Sequence, residues 1–135
     1  MIALDTSVVV AAFASWHEAH AEAAALLSQE PRLPAHVILE TYSVLTRLPP
    51  PHRAAAEIVE SFLAENFSAA PLRPTSRSQR GLVRLAVQSG LTGGAIYDLL
   101  IAMTARQARA KLLTRDRRAV GAYKAVGVDF EILGP

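Results

Sequence analysis

Met1-Ile2-Ala3-Leu4-Asp5-Thr6-Ser7 begins the chain with a short apolar run, an aspartate and two hydroxyls. The run is too brief for a helix and reads as a buried strand over Ile2–Leu4, with Asp5 at its C-terminal end. Thr6 or Ser7 is placed to cap a helix over 8–13, although the valines there weaken helical preference. The same arrangement returns late in the chain. Lys111–Thr114 is a short apolar stretch, Asp116 follows it, and 117–125 reads as a helix. Other expected helices cover 18–29, 36–48, 51–65, 76–88 and 95–109, with strands at 32–35, 67–72 and 128–133. Pro51 suits a first helical position, and Gly90 and Gly127 suit helix ends. Short strands alternating with longer helices predict an α/β domain built on a parallel sheet.

The chain has 135 residues, 51% of them hydrophobic and 19% charged, which excludes disorder as a global description and predicts one domain over 1–135. It has no cysteine, so disulfides, thiolate metal sites and a thiol nucleophile are excluded. No apolar run is long enough to span a bilayer, and the opening residues lack a leader pattern, so a cytoplasmic location and no membrane contact are expected. The formal charge is only +2, but residues 1–67 carry −5 and residues 68–135 carry +7. A basic second half, with arginine far outnumbering lysine, favours an anionic partner.

Four acids stand out by position. Asp5 and Asp116 fall at strand ends, where ligands bind in open α/β sheets; either one alone reads equally well as a turn or cap. Glu40 shares a helical stripe with Val37, Val44 and Leu48, and Asp98 shares one with Ala95, Ile101, Ala102 and Ala105. Unpaired burial of either charge costs several kcal/mol. An arginine partner for Glu40 and a helix N-terminus for Asp98 are the plainer explanations. Should the four meet, their repulsion raises their pKa values, and a hard divalent cation relieves it. With oxygen ligands and no thiolate, that cation is magnesium or manganese, which suits phosphodiester chemistry.

These segments together resemble a PIN-domain ribonuclease, in particular the VapC-type toxin of bacterial toxin–antitoxin pairs. Ile2-Ala3-Leu4-Asp5-Thr6-Ser7 looks like the opening strand and first acid of that family, and Val37-Ile38-Leu39-Glu40 like its second acidic position. Thr92-Gly93-Gly94-Ala95-Ile96-Tyr97-Asp98 is similar to the third, and Leu112-Leu113-Thr114-Arg115-Asp116-Arg117-Arg118-Ala119 to the late motif with the fourth. The resemblance spans nearly the whole chain. It implies a three-layer fold with a central parallel sheet of four or five short strands flanked by helices. It also implies cleavage of RNA by one or two magnesium or manganese ions per site, leaving 3′-hydroxyl and 5′-phosphate ends. Asp5, Glu40, Asp98 and Asp116 would form the metal-binding and catalytic pocket, with Thr6 and Thr114 as supporting hydroxyls. A VapB-like antitoxin, a homodimer and a toxin–antitoxin hetero-oligomer are the implied assemblies. Several members carry a further acid shortly after the late aspartate; here Arg117, Arg118 and Ala119 occupy those positions, which leaves a second ion dependent on RNA phosphates.

Arg115, Arg117 and Arg118 flank the last acid and are expected at phosphate, Arg115 first among them. Arg73, Arg77, Arg80 and Arg84 recur at helical spacing, as an RNA-tracking stripe or a solvated face. Trp16 is placed for base stacking, a partner or the core, and His17 and His20 have metal-pair spacing without a third ligand. No glycine-rich loop follows the first strand, which speaks against nucleotide binding. The remaining alternative is a catalytically inactive PIN-like module that binds RNA or protein.

Overall fold

Parallel pairing of two short strands far apart in sequence sets the frame. In the computed structural model, which describes residues 1–134, β1 (Ile2–Leu4), β2 (Lys111–Thr114) and β3 (Phe130–Ile132) form a sheet in the order β1-β2-β3. Leu4 lies opposite Leu113, and Thr114 opposite Ile132. This register brings the chain out of β1 and β2 at the same edge. Two hydrogen bonds tie the exits together: Asp5 N–H donates to the Leu113 carbonyl at 3.1 Å, and Arg115 N–H donates to Ser7 Oγ at 2.8 Å.

Seven α-helices complete the fold among the described residues. They are α1 (Thr6–Phe13), α2 (His20–Ala25), α3 (Ala35–Thr46), α4 (Ala56–Asn66), α5 (Ser76–Ser89), α6 (Ala95–Gln107) and α7 (Val120–Val126). Helix α1 packs on α2 and α3, α6 packs on α5 and α7, and both α1 and α6 contact β2. The core between them holds Leu4, Val8, Val9, Leu99, Ala102, Leu112 and Tyr123, all buried. No helix among the described residues is long and apolar enough to cross a membrane.

The parallel α/β class is as expected, but the sheet has three strands rather than four or five. The stretches 32–35 and 67–72 do run beside it, as isolated parallel bridges at Ala3–Arg32 and Pro34–Leu72. Pro31, Pro34, Pro71 and Pro74 crowd these stretches and cannot donate to a ladder. Helix α4 starts at Ala56 rather than Pro51, because His52 and Ala54 N–H groups turn back onto the Pro49 and Leu45 carbonyls. The expected helix over 18–29 begins at His20 and tightens into a 3-10 turn over Leu26–Gln29, and 117–125 opens with another at Arg117–Ala119. The cap of α1 is Asp5 itself, not Thr6 or Ser7.

Candidate active site

Asp5 follows directly on a buried strand, so it cannot turn to solvent; it is 2% exposed. Its Oδ1 accepts hydrogen bonds from Ser7 Oγ at 2.5 Å and from Val8 N–H at 3.3 Å, and its Oδ2 accepts one from the Tyr123 hydroxyl at 2.8 Å. Burial pushes the Asp5 carboxyl above the usual range, against the opposing pull of hydrogen bonds from Ser7, Thr114, Tyr123 and Val8.

Asp116 occupies the equivalent place after β2. Its Oδ1 caps the following 3-10 turn through Arg118 N–H at 3.0 Å and also meets Arg118 Nε at 3.3 Å. Its own N–H donates to Oγ1 of the buried Thr114 at 3.0 Å. Glu40 enters from the side of α3. Thr6 Oγ1 donates to its Oε1, and His36 Nε2, one turn earlier, stands 3.5 Å from its Oε2. The arginine partner considered for Glu40 is therefore absent among the described residues, and Thr6 and His36 take its place.

Asp98 lies in the first turn of α6 and is half-buried. Its carboxyl is raised to about 6, chiefly by burial, then by the charges of Asp116, Glu40 and Asp5, with Arg118 opposing. That order of causes places all four acids within one electrostatic neighbourhood. The helix N-terminus alone would have lowered this pKa, so it does not explain the residue.

Glu40, Asp98 and Asp116 open into one cleft of about 430 Å³, with Thr6, Ser7, His17, Arg115 and Arg118 also in its wall. Asp5 lies behind it, reached through Ser7. Among the described residues, no three acidic or histidine side chains converge closely enough to chelate a cation as they stand. The donor set nevertheless fits one: four carboxylates, all oxygen, with one carboxyl raised to about 6 by burial and then by the charges of the other three. Repulsion of this kind is what a divalent cation neutralises.

The basic residues divide. Arg118 is freely exposed at the cleft and Arg117 is exposed beside it. Arg115 is half-buried in the wall and faces Glu18, with Nη2 at 3.8 Å from Oε1. Arg77, Arg80 and Arg84 are exposed on α5 and do not line the acidic cleft. Trp16 also stays outside it, stacked on His52 with ring centroids 4.0 Å apart. His20 does not pair with His17 toward a metal; its Nδ1 lies 3.0 Å from the Ala11 carbonyl oxygen.

One residue at the site stands apart from the pairing its sequence spacing suggested, and another is marked by no motif in the sequence. His17 lines the cleft, where its Nδ1 accepts the Ala19 N–H at 3.0 Å. Tyr123, 118 positions from Asp5 in sequence, is fully buried with its hydroxyl on that carboxylate. The only hint was a tyrosine among the small and apolar residues of α7, since a buried phenol requires a hydrogen-bond partner.

An acidic cleft at the C-terminal edge of a parallel sheet, fed by two strand ends and two helices, defines the class, and comparison with known proteins agrees. The PIN domain family matches residues 2–125. Ribonuclease VapC40 of Mycobacterium tuberculosis is 50% identical over 133 residues, covering 98% of this chain and 99% of the relative. Ribonuclease VapC27 of the same organism is 44% identical over 128 residues, covering 94% and 93%. Among solved structures, FitAcB from Neisseria gonorrhoeae superposes with a TM-score of 0.67 at 22% identity, covering 96% of each chain, a likeness of fold. The chain belongs to the PIN domain family, and within it to the VapC-type ribonucleases.

Proposed function

We propose that this chain is a metal-dependent endoribonuclease, the toxin of a toxin–antitoxin pair, acting in the cytoplasm as a single domain over 1–135. The observation that carries this reading is the cleft lined by Glu40, Asp98 and Asp116, with Asp5 buried behind it and the Asp98 carboxyl raised by burial and by the charges of the other three. The near-complete overlap with two proteins named as ribonucleases supports it.

Asp5 and Asp116 would hold the cation, with Glu40 and Asp98 completing the set. One or two magnesium or manganese ions, when bound, would neutralise charge on the phosphate and acidify a water. Glu40 and Asp98 accept hydrogen bonds from the attacking water and so aim it at phosphorus. Thr6 fixes the direction of Glu40, and Thr114 fixes the backbone at Asp116. Arg118 and Arg117 contact phosphate from the open side, and Arg115 joins them when it leaves Glu18. Arg77, Arg80 and Arg84 attract RNA at longer range. The products carry 3′-hydroxyl and 5′-phosphate ends. The partners are a VapB-like antitoxin and a second copy of the chain, combined in a hetero-oligomer.

The test is cleavage of bacterial total RNA by the wild type and by Asp5→Asn, each with magnesium, with manganese and with chelator. Fragments with 5′-phosphates are expected only from the wild type with metal. A folded wild type that leaves all RNA intact under every metal condition assigns the chain to the inactive binding modules. Growth arrest on expression, relieved by Asp5→Asn and by the neighbouring antitoxin gene, tests the cellular role.

A further inference from the structure

His36 and Tyr97 sit where the acidic cleft meets the basic side of the molecule. His36 is one turn before Glu40 on α3, and Tyr97 immediately precedes Asp98 on α6. Their rings are stacked nearly parallel, 3° apart in tilt with centroids 4.8 Å apart, and Tyr97 remains 50% exposed. This is an aromatic surface built across two helices that both deliver acids to the cleft, and Tyr97 keeps enough free surface for a further ring to stack on.

Beyond the stack the surface continues as a groove of about 270 Å³, with His36, Arg73, Ser76, Gln79 and Leu100 in its walls. Ser76 and Gln79 also border the next depression, which ends at Arg80. Arg77, Arg80 and Arg84 follow along α5, a helix without a single acid. None of Arg73, Arg77, Arg80 and Arg84 pairs with an acidic residue among the described residues. The surface thus passes from carboxylates to aromatic rings to unpaired guanidinium groups.

We infer that a single RNA strand leaves the acidic cleft over the His36–Tyr97 stack, with an unpaired base on Tyr97, and runs through this groove onto the arginines of α5. The inference rests on the ribonuclease reading and names the substrate form: single-stranded or looped RNA, since a paired base offers no free face. Successive phosphates would meet Arg73 and then Arg80, and the base would be held by stacking that tolerates sequence. Charge favours RNA here over a second protein chain, because a purely apolar partner leaves the four guanidinium groups unanswered.

The experiment uses the full chain in the Asp5→Asn background and a fluorescent, random-sequence single-stranded RNA of about a dozen nucleotides, read by anisotropy with magnesium present. Tyr97→Ala is expected to weaken binding about tenfold, within the range for one lost base stack. Tyr97→Phe keeps the aromatic face and is expected to bind like the parent. Arg73→Ala with Arg80→Ala is expected to weaken binding and to reduce the salt slope by about 1.4, at about 0.7 per phosphate. Photocrosslinking of 4-thiouridine RNA to the peptide bearing Tyr97 would place the base directly. Equal RNA affinity in Tyr97→Ala and the arginine double variant, both with parental melting curves, overturns the inference. So does a Tyr97→Ala chain that changes from dimer to monomer while keeping its RNA affinity, which gives the surface to a second copy. If wild-type cleavage of total RNA persists beside either result, only this path is lost; a wild type that neither cleaves nor binds RNA removes the ribonuclease reading as well.

Discussion

Asp5 and Asp116 leave strand ends, Glu40 and Asp98 project from helix sides, and the two pairs are held by different means. Each strand-end acid caps the helical turn that follows it, so local backbone N–H groups fix its position. The helix-borne acids have no such anchor. Glu40 depends on the side chains of Thr6 and His36, and Asp98 feels burial and the charge of its neighbours, with no hydrogen bond among the causes of its shift. The strand-end pair therefore belongs to the fold as well as to the chemistry, whereas the helix-borne pair adds unrelieved charge to a finished scaffold. Substitutions can separate these two contributions.

The largest expected effect is at Asp5. Asparagine retains an oxygen for Val8 N–H and Ser7, and its amide can donate to the Tyr123 oxygen, so Asp5→Asn is expected to fold. The charge that would hold a cation is gone, and cleavage should fall on the order of 10³-fold. An Asp5→Asn chain with wild-type cleavage would break the assignment of the strand-end pair.

Asp98→Asn should cost less activity, on the order of 10²-fold, and should make the protein more stable at neutral pH. The sign follows from the raised carboxyl. Below about 4 both folded and unfolded chains carry the proton, and Asp98 contributes nothing to the pH dependence. Between about 4 and 6 the unfolded chain loses its proton first, so ionisation favours unfolding; above about 6 that penalty is fully present. Thermal melts at pH 7.5 should show Asp98→Asn a few degrees above the wild type, with the gap closing toward pH 4. The same proton competes with a cation, so manganese affinity measured by calorimetry should rise with pH through about 6 and flatten beyond it. A gap in melting temperature that is constant from pH 4 to 7.5 would show that neither burial nor the other acids raise the Asp98 carboxyl.

Tyr123→Phe probes the strand-end side without removing any charge. The ring still packs edge-on against Phe130, but Asp5 Oδ2 loses the phenol and the carboxylate is held chiefly through Oδ1 by Ser7 and Val8. Cleavage is expected to fall about tenfold, equivalent to about 1.4 kcal/mol, with manganese affinity reduced in parallel. Loss of stability without loss of manganese affinity would make Tyr123 a packing residue only.

The strand-end pair was also the part most legible in the sequence. Ile2–Leu4 before Asp5 and Lys111–Thr114 shortly before Asp116 are local patterns, and parallel pairing of the two strands follows from the α/β alternation. Glu40 and Asp98 were visible only as charges interrupting apolar stripes, and their convergence depends on how α3 and α6 pack. Tyr123 was invisible because its contact spans 118 positions and leaves no period or motif. The extra strands failed for a local reason present in the sequence: Pro34 and Pro71 within, and Pro31 and Pro74 beside, stretches whose apolar residues suggested a ladder. Arg115 shows the limit for long side chains, since it adjoins Asp116 in sequence but its guanidinium turns to the exposed Glu18.

The smallest expected effect is at Thr6, where the two kinds of acid meet. Thr6 is the first residue of α1, immediately after Asp5, yet its hydroxyl donates across to Glu40 on α3. It therefore couples a helix-borne acid to the strand end. Thr6→Val keeps the branched shape and removes the donor, leaving Glu40 with His36 alone and free to swing toward solvent. A hydrogen bond to a charged group contributes about 1.5–3 kcal/mol when fully buried, but Glu40 is only half-buried and water replaces part of it. Cleavage should fall a few-fold, less than for Asp98→Asn, and mainly in kcat, because orientation rather than RNA contact is lost. Thr6→Ser restores the hydroxyl and should restore the rate. If Thr6→Val and Thr6→Ser are equally slow, the methyl packing of Thr6 matters and its hydroxyl does not, and Glu40 must be positioned by α3 alone.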